Sequence, residues 1–399
     1  MDQVKIEKWV YGGAGLARTP EGVVLAPFVM PGETVKLEGA RRRAGVMEAQ
    51  VAEIAEKSPE RIEPACAVFG RCGGCHYQMA PYEFQVQAKA GILREMLERV
   101  GKLRAPEEIR VVRSEPWGYR NRAQFHFGKH TLGYKMAGSD KVADVDECPI
   151  AAPALNAALQ ALRAARRDRH FPRFLKQVEL FTNGERTMVN VMETEQGRGV
   201  ARGFFEWLAG RIPGAADGEL FYEACGVRYR VSHRSFFQVN RFLIEPLVEC
   251  ALEGAEGGEG LDLYAGVGLF TVPLARKIPR VTAVESDGSA ARDLEFNLAA
   301  AGVAAEAKRM QAEQYLEGLT RTPDFVLADP PRAGLGKRVV HELTRLRPPR
   351  LNIVSCDPAT LARDLAALCG AGYGAEGITL IDLFPQTFHM EAVARLRLG

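Results

Sequence analysis

The residue best suited to covalent chemistry in this 399-residue chain is Cys356, in Val354-Ser355-Cys356-Asp357-Pro358-Ala359-Thr360. It stands just past an apolar, strand-like run and just before a helix predicted over 360–369. Ligands of open α/β sheets bind at that rim, and a helix N-terminus favours the thiolate of a nearby cysteine. A cysteine beside an apolar strand is otherwise an ordinary small core residue. Glu391 sets this one apart. It follows the Pro385 turn, in Phe388-His389-Met390-Glu391, and is expected to return to the same rim.

A second constellation lies upstream, in Asp262-Leu263-Tyr264-Ala265-Gly266-Val267-Gly268-Leu269-Phe270. Glycines at the first strand-to-helix turn let a ligand approach the backbone, and an acid closing the next strand, here Glu285, grips a ribose diol. The third glycine of a dinucleotide fingerprint is missing, since Thr271 stands in its place. That favours a ligand with ribose and adenine but no pyrophosphate, such as S-adenosylmethionine. Asp262 on the first strand would suit its sulfonium charge. Asp329-Pro330-Pro331 closes the fourth strand at the same level.

A thiolate and a carboxylate beside a methyl donor describe methylation at C5 of a pyrimidine. That carbon is a poor nucleophile until a thiolate adds to C6 and makes C5 electron-rich. After C5 takes the methyl group, a base removes the C5 proton and the thiolate is expelled. A uracil in folded RNA must also leave its stack to reach the thiol.

The elements that must position these groups follow from the rhythm of the chain. From about residue 260, strand and helix patterns alternate, with strands expected over 261–264, 281–285, 325–329, 351–355 and 378–383. A last strand over 389–398 should pair antiparallel to the one before it. Such alternation argues for a parallel, doubly wound sheet. Residues 1–57 read as a small β unit with Gly-Gly and Pro31-Gly32 turns, and Arg41-Arg42-Arg43 at a strand end or loop. Residues 82–100 carry Phe84, Ala88, Ile92, Met96 and Val100 at helical spacing.

Cys66, Cys72 and Cys75 are spaced C-x5-C-x2-C, and Cys148-Pro149 follows later. Four thiolates can hold zinc or an iron–sulfur cluster, and the Cys-Pro ending is similar to some ferredoxin runs. Six Lys/Arg against one acid occur over 110–135 and again over 163–176. Local excesses of this kind near aromatics suit a nucleic-acid backbone, although each could also be a solvated face. The chain as a whole is nearly neutral, with 52 Lys and Arg against 50 Asp and Glu. This excludes a histone-like tail. No apolar run has the length of a bilayer span, and the N-terminus lacks a secretory pattern, so a cytoplasmic, monomeric protein with reduced cysteines is expected.

Taken together, these residues resemble the S-adenosylmethionine-dependent RNA uracil-C5 methyltransferases, specifically the iron–sulfur type acting on large-subunit (23S) ribosomal RNA. Gly12-Gly13-Ala14-Gly15-Leu16-Ala17-Arg18 and Pro31-Gly32-Glu33 are similar to a TRAM domain, an OB-like RNA-binding barrel. The resemblance implies three parts. These are a TRAM barrel over 1–57, a central α+β iron–sulfur domain over 58–235 and a Rossmann-like class I methyltransferase domain over 236–399, with the 81–109 helix packed on the last. It implies Cys66, Cys72, Cys75 and Cys148 as ligands of a [4Fe-4S] cluster. Gln238, within Phe236-Phe237-Gln238-Val239-Asn240, would contact the cofactor together with Tyr264, Gly266, Gly268, Glu285 and Asp329. Cys356 would be the nucleophile and Glu391 the base, with 5-methyluridine the product. Leu269 departs from the polar residue that many members carry after the second glycine.

Four other readings are weaker. The same chemistry on transfer RNA is possible in members that keep both the barrel and the cluster. A cytosine-C5 enzyme would carry its cysteine in a Pro-Cys context on the fourth strand, which here ends Asp329-Pro330-Pro331-Arg332. An iron–sulfur NAD oxidoreductase would want the third glycine. A non-catalytic RNA-binding module with structural zinc would leave Cys356 and Glu391 without a role.

Overall fold

The computed structural model describes residues 3–43, 45–216 and 218–399. Its largest element is an eight-stranded sheet. In spatial order the strands are Ala305–Arg309, Arg280–Glu285, Glu259–Leu263, Phe325–Ala328, Arg350–Ser355, Glu391–Leu398, Tyr373–Ile381 and Arg110–Val112. The first five are mutually parallel, and Glu391–Leu398 is antiparallel to both of its neighbours. The order in which the strands are added across the sheet therefore reverses between Glu259–Leu263 and Phe325–Ala328, which is where open α/β sheets bind ligands.

Side-chain alternation explains the two-sided packing. Val326, Ala328, Leu351 and Ile353 point into one apolar cluster, shared with the helices Tyr82–Arg99, Gly336–Leu346 and Pro358–Gly370. Phe325, Leu327, Val354 and Val393 point into the other, shared with the helices Ile244–Ala251 and Gly288–Ala301 and the hairpin Glu219–Ala224/Val227–Ser232.

Several expectations need correction. The final strand starts at Glu391 rather than 389; it pairs antiparallel to the strand before it, as expected, and also to Arg350–Ser355 on its other side. The strand expected over 378–383 begins at Tyr373 and ends at Ile381. The edge strand Ala305–Arg309 escaped notice because Ala-Glu-Ala-Lys-Arg has almost no apolar signal. The helix Tyr82–Arg99 buries Gln85, Val86, Lys89, Ile92, Leu93 and Leu97, a face turned from the expected stripe, and Val100 is 48% exposed. This helix and the strand Arg110–Val112 both pack into the methyltransferase sheet.

The N-terminal unit is a six-stranded, barrel-like sheet. Gly15 permits its closure, because a Cβ there would lie 2.4 Å from Val29 and 2.8 Å from Ile6. Arg41, Arg42 and Arg43 end the exposed half of the strand Thr34–Arg43. Between the two units, a five-stranded sheet carries the helix Pro153–Ala165, whose Leu155, Leu159 and Leu162 pack against Phe125, Val178 and Leu180.

Candidate active site at the sheet's switch point

The glycine turn leaves the strand Glu259–Leu263 at the point of reversal. Gly266 and Gly268 have φ of 57° and 92°, and Tyr264 also lies in the left-handed region at 64°. A Cβ on Gly266 would meet nothing within 4 Å, so the turn leaves open space over its backbone. Glu285 braces the turn. Its Oε2 accepts from the Gly266 N–H at 2.8 Å and its Oε1 from the Asp287 N–H at 2.6 Å. Each oxygen keeps a second lone pair with which a ribose hydroxyl could be met.

Asp262 does not face this space. It is fully buried, its Oδ2 accepts from the Thr271 hydroxyl at 2.5 Å, and burial pushes its carboxyl up to about 7. The expected role opposite a sulfonium is therefore replaced by a structural one. Thr271 stands where a third glycine would be because its hydroxyl serves Asp262. Leu269 is likewise a core residue, only its carbonyl being used, by the Tyr229 hydroxyl at 3.2 Å.

Gln238 is 7% exposed on the loop that precedes the helix Ile244–Ala251. That loop is pinned at both ends. The Ser235 hydroxyl donates to Asp293 at 2.7 Å, on the helix that follows Glu285. Asn240 Nδ2 donates to the Leu383 carbonyl at 3.0 Å, on the turn that leads to Glu391.

Across the reversal, Asp329 caps the strand Phe325–Ala328 and Cys356 follows the strand Arg350–Ser355. Ser355 pairs with Ala392, so Cys356 and Glu391 leave adjacent strands side by side. Glu391 is 6% exposed, whereas Cys356 is only half-buried and open to a ligand. Burial holds Glu391 well above the usual carboxylate range, reinforced by Asp329, which burial itself pushes up to about 7. Burial likewise raises the Cys356 thiol to about 11, with Glu391 and Asp329 adding to the rise and Arg332 opposing it.

This overturns the expectation that the helix N-terminus favours the thiolate. Asp357 is the N-cap residue, and its carboxylate takes the N–H groups of Ala359 and Thr360, both at 3.0 Å. The positive end of the helix is thus spent on Asp357.

Two neighbours of Cys356 were not singled out from sequence. Arg332 is the residue after Asp329-Pro330-Pro331, and its guanidinium donates to His389 Nδ1 at 3.0 Å. Its place in that motif was the available signal. Tyr11, from the N-terminal unit, donates its hydroxyl to Asp357 Oδ2 at 3.1 Å. No local pattern could reveal a contact spanning 346 positions.

The cysteines expected as ligands also converge. Cys66, Cys72, Cys75 and Cys148 line one cavity together with Arg120 and Tyr134. Among the described residues no group of three or more His, Cys, Asp or Glu could hold a metal ion. Arg120 Nε is buried there without a hydrogen-bond partner.

The strand order and the glycine turn with its acid define the class, an S-adenosylmethionine-dependent methyltransferase. Comparison with known proteins narrows it. The family model for tRNA (Uracil-5-)-methyltransferase matches residues 217–397. An RNA methyltransferase of Aquifex aeolicus is 31% identical over 99% of this chain and 98% of its own length. The 23S rRNA (uracil(1939)-C(5))-methyltransferase RlmD of Salmonella typhimurium is 30% identical over 98% of this chain and 94% of its own. The crystal structure of Pyrococcus abyssi tRNA (uracil-54, C5)-methyltransferase with S-adenosyl-L-homocysteine superposes with a TM-score of 0.77 at 26% identity, covering 99% of this chain and all of that one. The chain belongs to the RNA uracil-5-methyltransferase family and uses S-adenosylmethionine as its methyl donor. No helix is long and apolar enough to cross a membrane, among the described residues.

Proposed function

We propose that the chain methylates C5 of a specific uridine in 23S ribosomal RNA through a temporary bond from Cys356 to C6 of the uracil. The register that sets Ser355 opposite Ala392 carries this reading, since it puts a half-buried thiol beside a buried carboxylate. Bound S-adenosylmethionine supplies an electrophilic methyl group. Gln238, Tyr264, Gly266, Gly268, Glu285 and Asp329 are the residues that would hold it. Cys356 gives up its proton to solvent, to which it is partly open, and Sγ adds to C6. Electron density moves to C5, which is then alkylated. Glu391, in its ionised form, takes the C5 proton, and Sγ departs with the C6–S bond.

The ribosomal substrate is favoured by 30% identity to RlmD over nearly the whole of both chains. Transfer RNA is the second reading, favoured by the fold likeness to the Pyrococcus enzyme. The N-terminal unit is read as a TRAM-type RNA-binding barrel, supported by the exposed Arg41, Arg42 and Arg43. Residues 58–81 and 113–216 would form the central unit, in a cytoplasmic monomer.

The cysteine quartet is read as the seat of a [4Fe-4S] cluster. Four thiols border one cavity, and the Cys148-Pro149 ending is similar to ferredoxin runs, which favours a cluster over zinc. The unpartnered, buried Arg120 suits the net negative charge of a thiolate-bound cluster.

Cys356→Ala tests the mechanism. The variant should lose at least roughly 10³-fold in kcat. It should also form no covalent adduct with RNA carrying 5-fluorouridine, which the unaltered protein traps because fluorine cannot leave as a proton. Full activity in the variant would refute the assignment. Mapping 5-methyluridine in ribosomal and transfer RNA after deletion of the gene decides between the two substrates.

A further inference from the structure

The basic cluster over 163–176 plays no part in the chemistry above, yet the structure gives it a shape. With Lys129 and His130 from the turn after the strand Arg122–Phe127, its residues Arg163, Arg166, Arg167 and Arg173 line a cavity of about 230 Å³. Only one apolar residue, Leu132, shares the lining, and no carboxylate does. The cations are held in place mainly by neutral groups. Arg166 donates to the carbonyls of Thr131 and Lys129 at 2.8 and 2.9 Å, and Arg173 donates to the Arg166 carbonyl at 2.9 Å. Asp144 and Asp146 are both engaged by Arg163, and Asp168 by His170 and Arg211. Arg167 and Lys129 are exposed, and their side chains make no ion pair among the described residues.

A surface built only for solubility intersperses both signs of charge. Arg163 is paired with Asp144 and Asp146, but Arg166 and Arg173, fixed by carbonyls, and the exposed Lys129 and Arg167 keep their charge for an external anion. The cavity is smaller than the roughly 300–1,000 Å³ of small-molecule sites. No Phe, Tyr or Trp lines it, and His130 is its one ring. We propose that this cavity on the central unit is a phosphate-binding site for the RNA substrate, remote from the target uridine. The proposal rests on the RNA reading above and adds a place where the RNA is gripped.

Its distance from the chemistry follows from one strand. Arg122 opens the strand Arg122–Phe127 and donates to the Ser235 carbonyl at 2.7 Å, three residues before Gln238. The cavity lies past the other end, roughly 20 Å away at about 3.3 Å per residue. On that span the gripped phosphate belongs to a nucleotide other than the methylated one. The site should therefore set affinity and register, leaving the reaction step untouched.

The test uses the full chain and an RNA fragment containing the target uridine. RNA binding is measured over a series of KCl concentrations for Lys129→Ala/Arg167→Ala and for a control, Arg321→Ala/Lys337→Ala. Arg321 lies at the opposite edge of the methyltransferase sheet, and Lys337 on the helix Gly336–Leu346. The first variant should bind RNA about 10-fold more weakly at low salt, with the slope of log K against log salt shallower by about 1–2. Its kcat at saturating RNA and its affinity for S-adenosylmethionine should be unchanged, and the control should bind as the unaltered protein does. Unchanged affinity and slope, or equal losses in both variants, would overturn the site. If instead the unaltered protein binds the RNA but makes no 5-methyluridine, the functional reading fails, and the salt slopes still decide the phosphate site.

Discussion

At the scale of single residues, the proposed nucleophile rests in a place that disfavours its thiolate form. Cys356 is raised to about 11 by burial and by the carboxylates of Glu391 and Asp329, while Asp357 absorbs the helix N-terminus. In the proposed cycle Cys356 and Glu391 must both shed protons, and both are raised, so methyl transfer should keep climbing as pH rises through neutrality. Asp329 is the residue through which this can be probed. Changing Asp329 to Asn removes a negative neighbour from the thiol, which should bring the midpoint of Cys356 alkylation by iodoacetamide down by roughly 0.5–1 pH unit. Mass spectrometry of the Cys356 peptide reads the midpoint directly, and an unmoved or raised midpoint would contradict the electrostatics described. The sequence was enough to single out both side chains because their motifs are local, and the register brings them to adjacent strand ends. It could not reveal their proton affinities, which depend on burial and on groups from other strands.

At the scale of elements, the helix Tyr82–Arg99 shows how a sequence pattern can be right in kind and wrong in orientation. Its apolar spacing was legible, but its two innermost polar residues were not. Gln85 accepts from the Gln386 N–H at 2.9 Å, and Lys89 donates to Asp382 at 2.6 Å and to the Phe384 carbonyl at 2.9 Å. These polar groups face inward because the Leu383–Gln386 turn exposes backbone that must be satisfied. That turn feeds the strand bearing Glu391, so the helix steadies the base from behind. Lys89 and Asp382 are both wholly buried. Lys89→Met leaves a buried carboxylate unpaired and should cost about 3–5 kcal/mol in urea unfolding, with Lys89→Met/Asp382→Leu recovering much of the loss. A single variant within about 1 kcal/mol of the unaltered protein would show that the pair is not needed.

At the scale of the whole molecule, the doubly wound sheet and the N-terminal β unit were readable from rhythm and turn residues. The boundaries were less so: the resemblance implied that the helix over 81–109 packs on the last domain, but the strand Arg110–Val112 and the hairpin Glu219–Ser232 also join that core. The cysteine quartet gathers round one cavity from separate parts of the central unit, Cys66, Cys72 and Cys75 before the sheet and Cys148 beside its helix, and the proposed cluster would bind them together. Protein purified without oxygen should contain about four iron atoms and four sulfides per chain. Cys148→Ser should lose them and expose the central unit to protease. Stoichiometric zinc in a colourless protein would end the cluster reading. One contact ties these scales together. Tyr11 reaches Asp357 across 346 positions, clasping the catalytic loop to the first-made part of the chain. Contacts of such separation form only after the intervening polypeptide has found its place. The clasp is therefore a checkpoint of assembly, and a chain that misfolds in the middle keeps every reactive atom yet lacks the fastening that holds the loop in working order.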